Sequence, residues 1–105
     1  MADRRWELLE RARPDLVRAF ADDGVHRIEY VAAFPVQGAF AVWLGTGSDA
    51  EAARLRARTE LLERVASALH QAGFTSSELA ELAVVVQSQE TVDRDYAGSW
   101  FFALR

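Results

Sequence analysis

The sequence predicts a single α+β domain spanning residues 1–105. In this two-layer αββαββ sandwich, four strands form a mostly antiparallel sheet and two helices pack on one of its faces. The length of 105 residues lies in the range of one domain. Two segments repeat apolar residues at helical spacing, and four shorter segments alternate them or concentrate β-branched and aromatic residues, as strands do.

The first predicted helix covers the first twenty residues. Pro14 lacks a backbone donor and clashes with the preceding turn, which predicts a kink or a helical restart there. Gly24, at the end of "ADDG", suits the left-handed position that follows a helix. One stripe recurs at three- and four-residue steps and consists of Trp6, Leu9, Ala12 (or Arg13), Leu16 and Phe20.

Two strands follow and are predicted to form a hairpin. From Val25, "VHRIEYVAAF" alternates its side chains between two faces, as a strand does. A second alternating segment begins near Phe40 and ends near Leu44. The connection through "FPVQG" is short, so the two strands are expected to pair in antiparallel fashion.

The second predicted helix runs from Ser48 to the glycine at position 73. Ser48 and Glu51 match a capping box, and Thr75 with Glu78 could cap one further turn. The glycine is expected to end the helix. The apolar stripe of this helix consists of Leu55, Leu62, Val65, Ala66 and Leu69.

The last two predicted strands are "ELAVVVQSQ", which is β-branched, and "SWFFALR", which is aromatic and ends the chain. Moving the last strand to the front would give the order βαββαβ. The strand order is therefore expected to be either a circularly permuted ferredoxin-like arrangement or a simple meander.

Composition excludes several classes of function. The net charge of −4 and the pI near 5.1 argue against nucleic-acid binding, which needs a concentrated basic surface. The absence of cysteine excludes thiol catalysis and disulfide scaffolding. Apolar runs are far shorter than the ~20 residues that span a bilayer, and the N-terminus lacks the pattern of a signal peptide. The sequence predicts a soluble, cytoplasmic protein, and its use of arginine for all twelve basic residues is typical of a GC-rich bacterial genome.

No cofactor, metal or catalytic site is predicted. "GTGSDA", at 45–50, partly matches a phosphate-binding glycine loop, but Asp49 places a carboxylate where the phosphate would lie. A strand-to-helix turn with an ordinary cap accounts for the same residues. His26 and His70 lie on different elements and have no local partner with metal-ligand spacing.

The stretch "ETVDRDYAGSW", at 90–100, is the first candidate site. Asp93, Asp95 and Gly98 match positions one, three and six of a calcium loop, but positions five and twelve are apolar, so calcium binding is not expected. The stretch is predicted to be a hairpin turn or a recognition loop. Tyr96 beside an arginine and a tryptophan has the composition of a protein-contact hot spot.

The sheet face away from the helices is the second candidate site. The residues predicted to point toward the helices are Ile28, Phe40, Val42, Val84, Val86 and Phe102. The opposite face collects Val31, Ala33, Ala41, Trp43, Val85 and Phe101, and its rim is formed by Arg27, Glu29, Gln87 and Arg105. An apolar patch of this size is expected to meet a second copy, a protein partner or the folded-back loop, unless its alanines leave it shallow.

Two hypotheses for function follow. The first is a small protein-interaction domain that forms a homodimer through the sheet face, with an acidic inhibitor or immunity-type protein as one form of it. The second is a small-molecule binder or enzyme whose cleft is lined by Tyr30, Trp43, Tyr96 and Trp100. The candidate binding residues are Trp43, Asp93, Arg94, Asp95, Tyr96, Trp100 and Phe101.

Overall fold

Residues 3–104 are described by a computed structural model, in which three strands form one mixed sheet. The predicted α+β class is confirmed, whereas the four-stranded, mostly antiparallel sheet with two helices is wrong. The permuted ferredoxin-like order and the meander both required the fourth strand, so both predictions are wrong. The strands are β1 (Val25–Ala32), β2 (Phe40–Thr46) and β3 (Leu82–Ser88). The helices are α1 (Arg4–Phe20), α2 (Asp49–Arg56), α3 (Leu61–Ala72), α4 (Ser76–Leu79), α5 (Gln89–Asp95) and α6 (Trp100–Ala103).

Helix α1 is continuous through Pro14, so the predicted restart is not seen. Asp3 caps its N-terminus, because the Asp3 carboxylate accepts the backbone N–H of Arg5 at 2.9 Å. After one 3-10 turn, Gly24 adopts the predicted left-handed conformation with φ of 85°. The buried stripe of α1 is Leu8, Leu9, Ala12, Leu16 and Phe20.

The central strand of the sheet is β2. It pairs with β1 in antiparallel fashion, which confirms the predicted hairpin, and with β3 in parallel. A parallel pair needs a crossover, and the segment with α2, α3 and α4 supplies it. The main core lies between the inner face of the sheet and α1, α2 and α3.

The long second helix predicted from Ser48 is divided into α2 and α3. Residues 57–60 form a turn in which the Arg58 guanidinium donates to Asp23 at 2.7 Å and to Glu60 at 2.9 Å. This turn changes the phase of the apolar stripe. Val65 is fully buried, whereas Leu62, which a continuous helix would have placed in the core, is 51% exposed.

Helices α5 and α6 form the C-terminal part of the described residues, and the predicted strand "SWFFALR" is wrong. Helix α5 begins directly after β3, because the Ser88 hydroxyl accepts the backbone N–H of Thr91 at 3.0 Å. Helix α6 begins at Trp100 with Ser99 as its cap. Trp100 and Ala103, three residues apart, face the same way and are buried, so helical spacing decides the structure of this aromatic segment.

Candidate functional site

Most of the residues that strand alternation placed on the inner face of the sheet do lie there. Ile28, Phe40, Val42 and Val86 are buried in the main core, and Val84 is half-buried against it. Phe102 was also predicted to point toward the helices, but it lies on α6 and is 53% exposed. The prediction failed there because it assumed strand alternation for a helical segment.

The outer face carries the other strand positions. Val31 pairs with Ala41 at one end of this face, and Trp43 pairs with Val85 near its middle. Val31 is 40% exposed, Trp43 and Val85 are half-buried, and the main-core helices lie on the other side of the sheet. The outer face therefore exposes apolar side chains. Ala33 lies just beyond β1 and is exposed, and Arg105, predicted at the rim, lies outside the described residues.

Trp100 covers the other end of the outer face. Its ring lies against Gly45, where an added Cβ would come within 3.0 Å of the Trp100 Cη2 atom. The Arg27 guanidinium lies 5.0 Å from the centre of the ring, and the indole N–H donates to the Gln89 side-chain oxygen at 2.7 Å. The folded-back loop, one of the three alternatives that the sequence left open for this face, thus covers part of it and leaves the end with Val31 uncovered.

A second, smaller apolar cluster holds this segment in place. Val92, Trp100 and Ala103 are buried together, and Tyr96 packs against them. Phe101 and Phe102 lie on the same short helix, and they are exposed by 69% and 53%. The α6 helix therefore presents aromatic side chains to solvent as well as to the sheet.

A polar network joins α2 to α5 beside the ends of β2 and β3. The Asp49 carboxylate accepts hydrogen bonds from the Ser88 hydroxyl, from the Thr91 hydroxyl at 2.7 Å and from the Arg94 guanidinium at 3.2 Å. In return, the Glu90 carboxylate accepts the backbone N–H of Asp49 at 2.8 Å. At the start of α2, the backbone N–H groups of Ser48 and Asp49 are thus bound by the carboxylates of Glu51 and Glu90, and not by that of Asp49.

These hydrogen bonds change the acidity of Asp49. The hydroxyl of Ser88, then that of Thr91 and the guanidinium of Arg94, lower the pKa of Asp49 to about 2. The carboxylate is therefore ionised at neutral pH and acts as a fixed acceptor between two helices. The sequence could have indicated this network through Ser88, Thr91 and Arg94, which recur every three residues.

The stretch at 90–100 is not a hairpin turn, and most of its candidate residues lie on α5. Asp93 accepts a hydrogen bond from the Gln89 amide at 2.8 Å. Arg94 forms ion pairs with Asp49 at 3.2 Å and with Asp95 at 3.4 Å. The structure brings Tyr96 and Trp100 together in the small cluster. Trp43 and Phe101 lie outside that cluster, on β2 and α6.

The aromatic-lined cleft does not form as the sequence suggested. Tyr30 and Trp43 lie on opposite faces of the sheet, because Trp43 pairs with Glu29 and Tyr30 with Val42 in the register. The Tyr30 hydroxyl donates to the Leu9 carbonyl at 2.7 Å, and burial raises the pKa of Tyr30 to about 12. Within residues 3–104 there is no ligand-sized cavity and no group of His, Asp and Glu side chains that could hold a metal ion.

Comparison with known proteins gives no match, whether with protein families, curated proteins or solved structures. No helix in the described part of the chain has both the length and the apolar character required to cross a membrane.

Proposed function

We propose that this chain is a protein-interaction domain that associates with a second copy of itself through the outer face of its sheet. The observation that carries the proposal is the apolar surface formed by the exposed Val31 and the half-buried Trp43, on the side of the sheet opposite the main core. Contiguous apolar surface on a folded protein commonly marks a place of association.

The charge on this face favours a second copy over a basic partner. Arg27 and Glu29 are the charged residues at the outward strand positions, and they pair with each other at 3.4 Å. The face is therefore neutral, although the whole chain carries a net charge of −4. An acidic inhibitor that covers a basic partner would concentrate its carboxylates on the contact surface.

The shape of the face also suits two-fold pairing. Helix α6 is raised over the end that contains Gly45, and the end that contains Val31 is low. In a two-fold pair, the raised helix of one copy would lie beside the low end of the other, because a symmetric interface uses the same patch twice. Phe101 would then contact the second copy near Val31, and Arg27 and Glu29 could exchange ionic partners.

The test is the solution mass measured by light scattering over a concentration series. We expect the wild type to dimerise as concentration rises, and the Trp43→Glu variant to stay monomeric, because a carboxylate would have to be buried in the contact. Leu62→Glu is the matched control. It removes an exposed apolar side chain and adds the same charge on α3, in the helix layer, and it should leave the dimer intact.

Circular dichroism of each variant establishes that the fold is retained. A wild type that is monomeric at every concentration would overturn the proposal. A dimer that survives in the Trp43→Glu variant would equally rule out this face as its interface.

A further inference from the structure

The sheet has two outer strands, β1 and β3, and each has one edge without a neighbouring strand among the described residues. The backbone groups along such an edge can pair with another extended chain. Folded proteins therefore protect their edges, commonly with charged side chains.

On the edge at β1, an arginine from α1 is bound to the strand. The Arg13 guanidinium donates to the backbone carbonyl of Ile28. It is held there by two hydrogen bonds to the Glu10 carboxylate, each of 3.2 Å, and its carbon lies 4.8 Å from the centre of the Tyr30 ring. The guanidinium is thus fixed from several directions.

On the edge at β3, a second arginine makes the equivalent contact from α2. The Arg56 guanidinium donates to the backbone carbonyl of Val86 at 2.6 Å. Ile28 and Val86 are both register partners of Leu44, on the central strand. The two arginines therefore bind the two edges at the same level of the sheet.

We infer that Arg13 and Arg56 determine which surface of the sheet can take a partner, by closing both edges to strand addition. A further strand would need the carbonyls that these guanidiniums occupy, and it would have to displace a hydrogen bond to a charged donor. Each displaced guanidinium would also lose its carbonyl acceptor and would lie beside the backbone of the added strand. Partners are thereby restricted to the faces of the sheet.

The inference stands apart from the proposed dimer, because edge closure does not require that the outer face associates. The test is therefore made in the Trp43→Glu background as well as in the wild type. A failure of the dimer proposal would appear in the solution mass of the wild type, and a failure of edge closure would appear in the arginine variants.

The variants are Arg13→Met, Arg56→Met and the double substitution, since methionine keeps an unbranched apolar stem and removes the donors and the charge. Arg18→Met and Arg54→Met are the controls, on the exposed surfaces of the same two helices. Growth of β-rich assemblies is followed by thioflavin fluorescence and by infrared absorption, with circular dichroism as the check on folding. We expect β-rich assemblies of each edge variant to grow about tenfold faster than those of the wild type, because one hydrogen bond to a charged donor is lost. The control variants should grow at the wild-type rate.

Lysine substitutions at the same positions keep a charged donor, and we expect assemblies of these variants to grow at the wild-type rate. A folded double methionine variant that assembles no faster than the controls would overturn the inference. A measurement on the wild type covers the case in which the methionine variants unfold. The probe is a synthetic peptide with the sequence of β3, residues 82–88, and protection of the edge amides of the wild type by this peptide would contradict edge closure.

Discussion

Gly45 controls how closely Trp100 approaches the sheet. A Cβ at this position would lie 3.0 Å from the Trp100 ring and 3.0 Å from the Arg27 Cβ, closer than ordinary contact. The residue is therefore a glycine for reasons of space, because its backbone passes directly under a buried indole. This close approach allows Trp100 to cover one end of the outer face.

Gly45→Ala should lower the free energy of unfolding by about 1–2 kcal/mol, because the added methyl group forces the indole away. In a Trp100→Ala background the cost should be smaller, since one of the two close neighbours is gone. Urea unfolding of the single and double variants measures the difference. Gly38→Ala is the control, because its Cβ would meet only the Glu81 side chain, at 3.7 Å. Equal costs of Gly45→Ala in both backgrounds would show that Trp100 is not the residue that requires the glycine.

The lowered pKa of Asp49 predicts that the stability of the fold depends on pH. Its pKa is about 2 in the folded chain and 3.8 ordinarily, so its contribution is present in full above that ordinary value and is lost as pH falls toward 2. Asp49→Asn should therefore make the loss of thermal stability over this acidic range shallower. The measurement is the unfolding midpoint between pH 2 and 7.

Asp3 contributes over the same range, because hydrogen bonds from Arg5 lower its pKa to about 2 as well. Asp49→Asn should thus remove only part of the acid sensitivity, and the double variant with Asp3→Asn should remove more. If the unfolding midpoint falls with decreasing pH to the same extent in the wild type and in the Asp49→Asn variant, the role given to the network around Asp49 is contradicted.

At the scale of the element, the C-terminal segment shows how a short aromatic run can be misassigned. "SWFFALR" has strand propensity, and a strand there would have completed a hairpin. Two serines decide otherwise, since Ser88 and Ser99 each accept a backbone N–H and begin a helix. The sequence contained both caps, but propensity alone does not say whether Trp100 packs as part of a strand or as part of a helix.

The division of the second predicted helix has a comparable origin. Residues 57–60 contain no proline or glycine, so the sequence carries no strong signal for a break. The break is accompanied by contacts that are distant in sequence, chiefly the ion pair of Arg58 with Asp23 at 2.7 Å. It also lets α3 pack on α1 with Val65 and Leu69 inward.

The pair of helices α5 and α6 should open more readily than the sheet. Its cluster has three buried residues, Val92, Trp100 and Ala103, whereas the main core joins three strands to three helices. Native-state amide exchange should therefore report a lower opening free energy for α5 and α6 than for β2. The β2 amides provide the internal reference in the same sample, and equal protection of both regions would mean that they unfold as one unit.

At the scale of the whole molecule, the outer face is too small to form a tight interface by itself. Strand β2 has seven residues. With ~3.3 Å per residue and strands ~4.8 Å apart, the three-stranded face measures roughly 23 by 14 Å, or about 300 Å². Typical stable pairs bury about 800 Å² on each partner, so α6 would have to add to the contact.

The proposed dimer should consequently be weak, because interfaces at the small end of the size range are typical of transient complexes. The light-scattering series should therefore extend to high protein concentration. If the exposed Phe101 ring adds to the contact, Phe101→Ala should weaken the association without abolishing it, since the strand residues remain. A Phe101→Ala variant that dimerises as strongly as the wild type would remove α6 from the interface.

The sequence by itself determined the α+β class, the hairpin of β1 and β2, the third strand and the capped starts of α2 and α4. These features depend on periodicity and on hydrogen bonds within a few residues. It also identified the outer face around Val31 and Trp43, because strand alternation assigns side chains to faces before any packing is known.

Only the tertiary structure decided the number of strands, the division of α2 from α3, and the position of Trp100 over Gly45. It also decided that the arginines at positions 13 and 56 lie on the two edges of the sheet. Each of these depends on contacts between residues far apart in the chain. Such contacts are decided by the competition for space and hydrogen-bond partners in the folded molecule, and local pattern does not encode that competition.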